Sequence, residues 1–119
     1  MSDHQLPAYA IAHLRDVTFG ADIVRYMCEI DATLTPFGGE FVVHGGPVDA
    51  VEGQWDGDIV IIGFPSRESA RAWYDSPEYR AILPLRLQNS LSATVIVDGV
   101  KVGHTAAGRV EELLRGEAV

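Results

Sequence analysis

The chain has 119 residues, 47% of them apolar, and a formal net charge of -8. That length suits one domain able to bury roughly two-thirds of its unfolded surface, and the apolar fraction argues against a disordered chain. The acidic balance argues against nucleic acid or anionic lipid as partners, and a single cysteine, Cys28, rules out a disulfide framework within the chain.

Ala8 to Leu14 is predicted as the first strand. Its alternation puts Tyr9, Ile11 and His13 on one face and Ala8, Ala10, Ala12 and Leu14 on the other. The small second face suits a helix packed closely against it. Ala21 to about Leu34 is the first helix, with Ile23, Met27, Ile30, Leu34 and Phe37 as its apolar stripe. Asp22 and Arg25 are placed to pair across one turn, and Cys28 is read as a small packed side chain. Pro36 and Gly38-Gly39 end the element.

Glu40 to His44 is the second strand, broken by Gly45-Gly46-Pro47. Asp58 to Phe64 is the third, after the Asp56-Gly57 turn. Ser66 caps a short helix from about Arg67 to Tyr74. Ser76-Pro77-Glu78 starts another, running to about Gln88 with a kink expected at Pro84. Ser92 to Val97 is the fourth strand. Residues 101–119 are a tail in which Val110, Leu113 and Leu114 mark one edge of a short helix.

The order β-α-β-β-α-β is the ferredoxin-like split unit: an α+β fold with a four-stranded antiparallel sheet and helices on one face. Residues 1–100 form that domain and 101–119 its tail. A sheet with one wet face should alternate cleanly. Ile59-Val60-Ile61-Ile62 and Val95-Ile96-Val97 instead run apolar without a break. Two helices cover one face only, so a second copy of the sheet is expected on the other, making a homodimer.

Further features are Phe37-Gly38-Gly39, His44-Gly45-Gly46, Val51-Glu52-Gly53-Gln54-Trp55 and Phe64-Pro65-Ser66. Ala70-Arg71-Ala72-Trp73-Tyr74, Ser76-Pro77-Glu78-Tyr79 and Arg86 follow them. With these residues the chain resembles the domain of unknown function 1330 family (DUF1330), within the dimeric α+β barrel superfamily, from about Tyr9 to Val100. The resemblance implies the fold and a dimer whose sheets pack face to face. It implies no activity. The wider superfamily holds cofactor-free monooxygenases, polyketide-related cyclases, lactone isomerases, haem enzymes and stress-response proteins, and fold does not choose among them.

Three residues are candidate proton carriers, each with a plainer role open to it. His13 lies mid-strand and is either a base or a hydrogen-bonded interface histidine. His44 precedes Gly45-Gly46, where backbone can approach a ligand, or else it is a solvated strand end. Asp31 falls one position past the apolar stripe, at the core's edge or in solvent. Trp55, Tyr74 and Tyr79 are amphipathic groups that either line a pocket or pack the core. Arg86, among Leu83, Leu85 and Leu87, either holds an anion or pairs with a nearby carboxylate such as Glu78.

No histidine spacing suits a metal, no glycine-rich loop suits a phosphate, and there is no Gly-x-Ser-x-Gly elbow, so no cofactor or metal is expected. With no signal segment, no roughly 20-residue apolar run and one cysteine, a cytoplasmic location away from membranes is expected. Two functions stay open: a cofactor-independent enzyme acting on a small organic molecule between the first helix and the sheet, and a non-catalytic dimeric binding or stress-associated protein.

Overall fold

The computed structural model of the chain describes residues 5–116. Residues 1–4 and 117–119, the outer ends of the expected domain and tail, lie outside the described residues. The elements in order are β1 (Ala8–Arg15), α1 (Ala21–Leu34), a 3-10 turn (Thr35–Phe37), β2 (Glu40–His44), β3 (Asp58–Phe64), α2 (Arg67–Asp75), α3 (Pro77–Leu87), β4 (Leu91–Asp98) and α4 (Ala106–Leu114). The strands make one sheet in the order β2-β3-β1-β4, antiparallel throughout. This is the expected α+β split unit.

Local chemistry sets the boundaries. Ser66 and Ser76 cap α2 and α3, their hydroxyls accepting from the backbone N–H of Ser69 and Tyr79 at 3.1 and 3.3 Å. Pro77 opens α3, which continues as one helix through Pro84 to Leu87. Gly38 ends the 3-10 turn at φ 70°, a left-handed conformation that costs glycine nothing. Two expectations on α1 need correcting. Arg25 pairs with Glu29 at 2.8 Å, while Asp22 accepts from Asn89 at 3.1 Å. Cys28 is exposed, because one residue past Met27 turns it about 100° off the apolar stripe.

One face of the sheet carries the core. Ala8, Ala10, Ile62 and Phe64 are buried there against Ile30, Leu34, Ala70, Trp73, Tyr79, Ile82 and Leu83. A bulge in β2 between Phe41 and Val43 sets Phe41 opposite Ile62 and His44 opposite Val60. Both rings therefore point to the helices, stacked at 4.2 Å. The other face is apolar and open: the row Val43, Ile61, Ile11, Val95 crosses all four strands. Val95 is 56% exposed. The strands are thus apolar on both faces within a chain that covers one. α4 is not packed closely on any strand or helix of this unit, and Val110 and Leu114 stay exposed. Among the described residues no helix is long and apolar enough to cross a membrane.

The turn into β3 is the tightest constraint on the backbone. Gly57 sits at φ 102°, and a Cβ there would lie 2.2 Å from the Leu14 carbonyl oxygen. Both strain and collision oppose any side chain, so Gly57→Ala is expected to cost about 2 kcal/mol or more. Urea denaturation checks this; an unchanged midpoint would mean that the turn gives way freely.

Candidate functional site

α1 and α2 meet the sheet differently. α2 comes down onto β1, β3 and β4, with Ala70 fully buried. α1 makes its close contacts with α3 and the 3-10 turn instead. The strand beneath α1 offers the small Ala10 and Ala12, with Leu14 near its end. A cavity of about 380 Å³ results. Its floor includes the row His44, Val60, Ala12, Thr94, which spans all four strands. Ile23, Met27 and Ile30 of α1 line it from above, and Trp73 and Phe41 line it as well.

The polar groups gather at the β4 side. Arg86, in the last turn of α3, is only 5% exposed. Its Nη1 donates to Ser92 Oγ at 2.7 Å, its Nε to Tyr26 Oη at 3.3 Å and its Nη2 to Tyr79 Oη at 3.5 Å. The two tyrosine oxygens are themselves 2.6 Å apart. All these partners are neutral. Burial, reinforced by Tyr79, pushes the Tyr26 hydroxyl well above the usual tyrosine range, so it stays protonated. Burial alone would weaken the charge on Arg86. The Tyr79 and Tyr26 oxygens more than offset this, and the guanidinium is held above its ordinary value as a fixed cation. Thr94 Oγ1 is buried and has no hydrogen-bond partner among the described residues.

The structure brings Tyr79 and Arg86 together and leaves His44, which is exposed, apart from them. Tyr79, Arg86 and His44 all line the cavity. His44 is on the β2 edge and the Arg86 cluster meets β4, so three strand spacings, roughly 14 Å, separate them. The other candidates lie elsewhere. Asp31 is exposed, turned off the stripe like Cys28. His13 is on the open sheet face, where its Nε2–H donates to the Asp56 carbonyl at 2.5 Å. Trp55 packs on that histidine at 4.6 Å and donates to the Gly57 carbonyl. Tyr74 lines a separate groove between α2 and β4, with the Arg80 guanidinium 4.9 Å over its ring.

Tyr26, Ser92 and Thr94 are site residues that the sequence reading passed over. A signal was there. Tyr26 continues Ile23 and Ile30 at helical spacing, a polar-ended group inside an apolar stripe. Ser92 and Thr94 alternate with apolar residues along β4 on the face that meets the helices. Among the described residues, no cluster of three or more His, Cys, Asp or Glu side chains could hold a metal ion.

The model of the domain of unknown function DUF1330 matches residues 7–100. The chain belongs to the DUF1330 family. No curated protein matches it. Solved structures share the fold of this DUF1330 chain at low identity. A protein of unknown function from Rhodopseudomonas palustris is 16% identical, with a TM-score of 0.59 over 82% of this chain and 85% of that one. A dimeric ferredoxin-like protein of unknown function from Jannaschia sp. CCS1 is 11% identical, with a TM-score of 0.62 over 78% of this chain and 99% of that one. SnoaB, a cofactor-independent oxygenase from Streptomyces nogalater, is 14% identical, with a TM-score of 0.53 over 84% of this chain and 99% of that one.

A buried cation without a counter-charge adds little to stability, and an apolar group of similar length often serves as well. In the DUF1330 chain, Arg86→Met leaves the Tyr26–Tyr79 bond available. The variant is expected to fall within about 1 kcal/mol of wild type, or above it, in urea denaturation. A loss beyond about 3 kcal/mol would make the guanidinium a structural group.

Proposed function

We propose that this DUF1330 chain binds a small, mostly apolar organic molecule beneath α1 and acts on it as a cofactor-independent enzyme. One observation carries the proposal: an apolar cavity of about 380 Å³ with a few polar groups converging at one edge, the usual form of a small-molecule site. Arg86 and Tyr79, joined by Tyr26, hold a ligand oxygen. His44, on the opposite edge of the floor, is the proton carrier nearest to hand, with Asp58 also on the lining. A conjugated ligand lying along the floor meets a base at one end and a cation at the other, and its π-system relays charge between them. Proton transfer, isomerisation, cyclisation and oxygenation all fit that arrangement. SnoaB, of the same fold, works as an oxygenase without a cofactor.

A non-catalytic binding or stress-associated role is the second reading. It is favoured by the composition of the β4 side, where, among the described residues, no histidine or carboxylate bonds to Arg86, Tyr26 or Tyr79.

The proposal includes a homodimer through the open sheet face, in a reducing cytoplasm, with residues 101–119 as a tail outside the folding unit. The apolar row Val43, Ile61, Ile11, Val95 supports the dimer, and so does the dimeric neighbour from Jannaschia. Ile11→Arg would bury an unpaired charge at the centre of that row. Light scattering is expected to give two chains for wild type and one, or an unfolded chain, for the variant. A well-folded wild-type monomer at micromolar concentration would end the dimer proposal.

The cavity is tested by filling it. Ala12 is at the middle of the floor, so Ala12→Leu should occupy the space without burying anything polar. Binding of the neutral fluorescent probe N-phenyl-1-naphthylamine is expected to weaken more than tenfold in the variant. Native mass spectrometry of wild type is expected to show a retained small molecule. Absence of probe binding and of any retained mass would remove the basis of the proposal, and a retained molecule recovered unchanged after prolonged incubation would favour the second reading.

A further inference from the structure

We infer that the cavity takes its ligand as an anion, with the charge on an oxygen (phenolate, enolate or carboxylate) set against Arg86. The inference rests on the cavity being a ligand site and goes further by fixing the ligand's charge and the place where that charge sits.

The first support is an unbalanced charge. Arg86 is 5% exposed, and a buried cation ordinarily has a carboxylate beside it. The groups that face it are Tyr26 from α1, Tyr79 from its own helix and Ser92 from β4, all neutral. The remaining titratable groups on the lining, His44 and Asp58, belong to the β2–β3 side of the floor.

The second support is a count of hydrogens. A guanidinium has five N–H donors and each tyrosine one O–H. Three guanidinium hydrogens are engaged, by Ser92, Tyr26 and Tyr79. One tyrosine hydroxyl hydrogen lies in the Tyr26–Tyr79 contact. Among the described residues, two guanidinium hydrogens and the other tyrosine hydrogen have no acceptor. Among the described residues Thr94 Oγ1, from the cavity's floor, has no hydrogen-bond partner either, and its hydroxyl can donate as well as accept. The site is therefore rich in donors and short of acceptors. Its complement is a group that only accepts, and an ionised oxygen does so most strongly.

The third support is the setting. Much of the rest of the lining is apolar, including Leu14, Ile23, Ile30 and Phe41, and Arg86 at 5% exposure has little solvent of its own to screen it. The ligand is then an unsaturated or aromatic acid, its hydrocarbon under α1 and its oxygen toward β4. Because the ionised form is the one stabilised, binding lowers the ligand's pKa. A phenol or enol that is neutral in solution is ionised in the site.

The test uses the full chain and three bicyclic probes of similar shape. 7-Hydroxycoumarin reports its ionisation by absorbance, 7-methylcoumarin is its neutral analogue, and coumarin-3-carboxylate has a permanent charge near neutral pH. The expected result is that wild type lowers the apparent pKa of bound 7-hydroxycoumarin by about one unit, a tenfold preference for the anion. Arg86→Met should abolish that preference while still binding 7-methylcoumarin, and Arg86→Lys should keep part of it. The wild-type titration stands by itself should a variant not fold. Coumarin-3-carboxylate competing as well as the phenolate assigns carboxylates to the site, and weak competition assigns phenols and enols. If 7-methylcoumarin binds but 7-hydroxycoumarin ionises as it does in water, and the carboxylate does not compete, the inference is overturned and the cavity reading survives. If none of the three binds, both fall together.

Discussion

The junction of Arg86 with Tyr26 and Tyr79 ties α1, α3 and, through Ser92, β4 into one assembly. α1 is also held by the buried hydrogen bond from Trp73 Nε1 to Thr33 Oγ1, by Asn89 on Asp22, and by Ile30 and Leu34 in the core. Its main packing is against α3 and not the sheet, so its neighbouring helices set its height. A helix held up by its neighbour leaves a gap over any strand that lacks long side chains. β1 presents Ala8, Ala10 and Ala12 on that side. Under α2 the gap is closed, because Ala70 lets the backbone come down onto the strands. Under α1 it stays open as the cavity.

The same β1 divides the molecule into two apolar problems. Its even-numbered residues face the cavity, and Tyr9, Ile11 and His13 face the open side. A one-residue register slip would exchange the two sets. The slip is opposed from both flanks, because Ala10 and Ala12 pair with Ile62 and Val60 on one side and with Ile96 and Thr94 on the other. The bulge in β2 adds to this. An extra residue at Val42 lets Phe41 and His44 both turn toward the helices although they are three positions apart. Without it, His44 would belong to the open face and the floor would have no titratable group at its β2 edge.

The fold was legible in the sequence because its signals are local. Ser66 and Ser76 announce their helices, Asp56-Gly57 announces a turn, and the unbroken runs in β3 and β4 report a sheet that is apolar on both faces. The space over Ala10 and Ala12 was legible too, since small residues in one alternating set leave volume, whereas Ala8, of the same set, is packed over. The site's polar partners were not. Arg86 meets Tyr26 across 60 residues of sequence, and no periodicity reports a contact between two helices. Arg86 looked readier to pair with a nearby carboxylate than to hold an anion, and only three dimensions show that among the described residues its partners are Ser92, Tyr26 and Tyr79. His13 and Trp55 were read separately, yet they pack on each other, because the β2–β3 connection folds back beside β1. Asp31 was the closest geometric question. At about 100° per residue, one position decides between core edge and solvent, and sequence spacing does not resolve that difference.

The cavity also bears on why an apolar helix–sheet layer would keep such a cluster. A leucine in place of Ala12 and an apolar residue in place of Arg86 would give a better-filled core by ordinary packing rules. The chain instead leaves a void and sets at one edge of it donors that have no acceptor among the described residues. Empty volume and unmet donors each cost stability, and here they occur together and on the same wall. Independent packing defects have no reason to coincide in this way. A ligand that fills the volume and accepts those hydrogens removes both costs at once, so its binding energy includes what the empty fold forgoes.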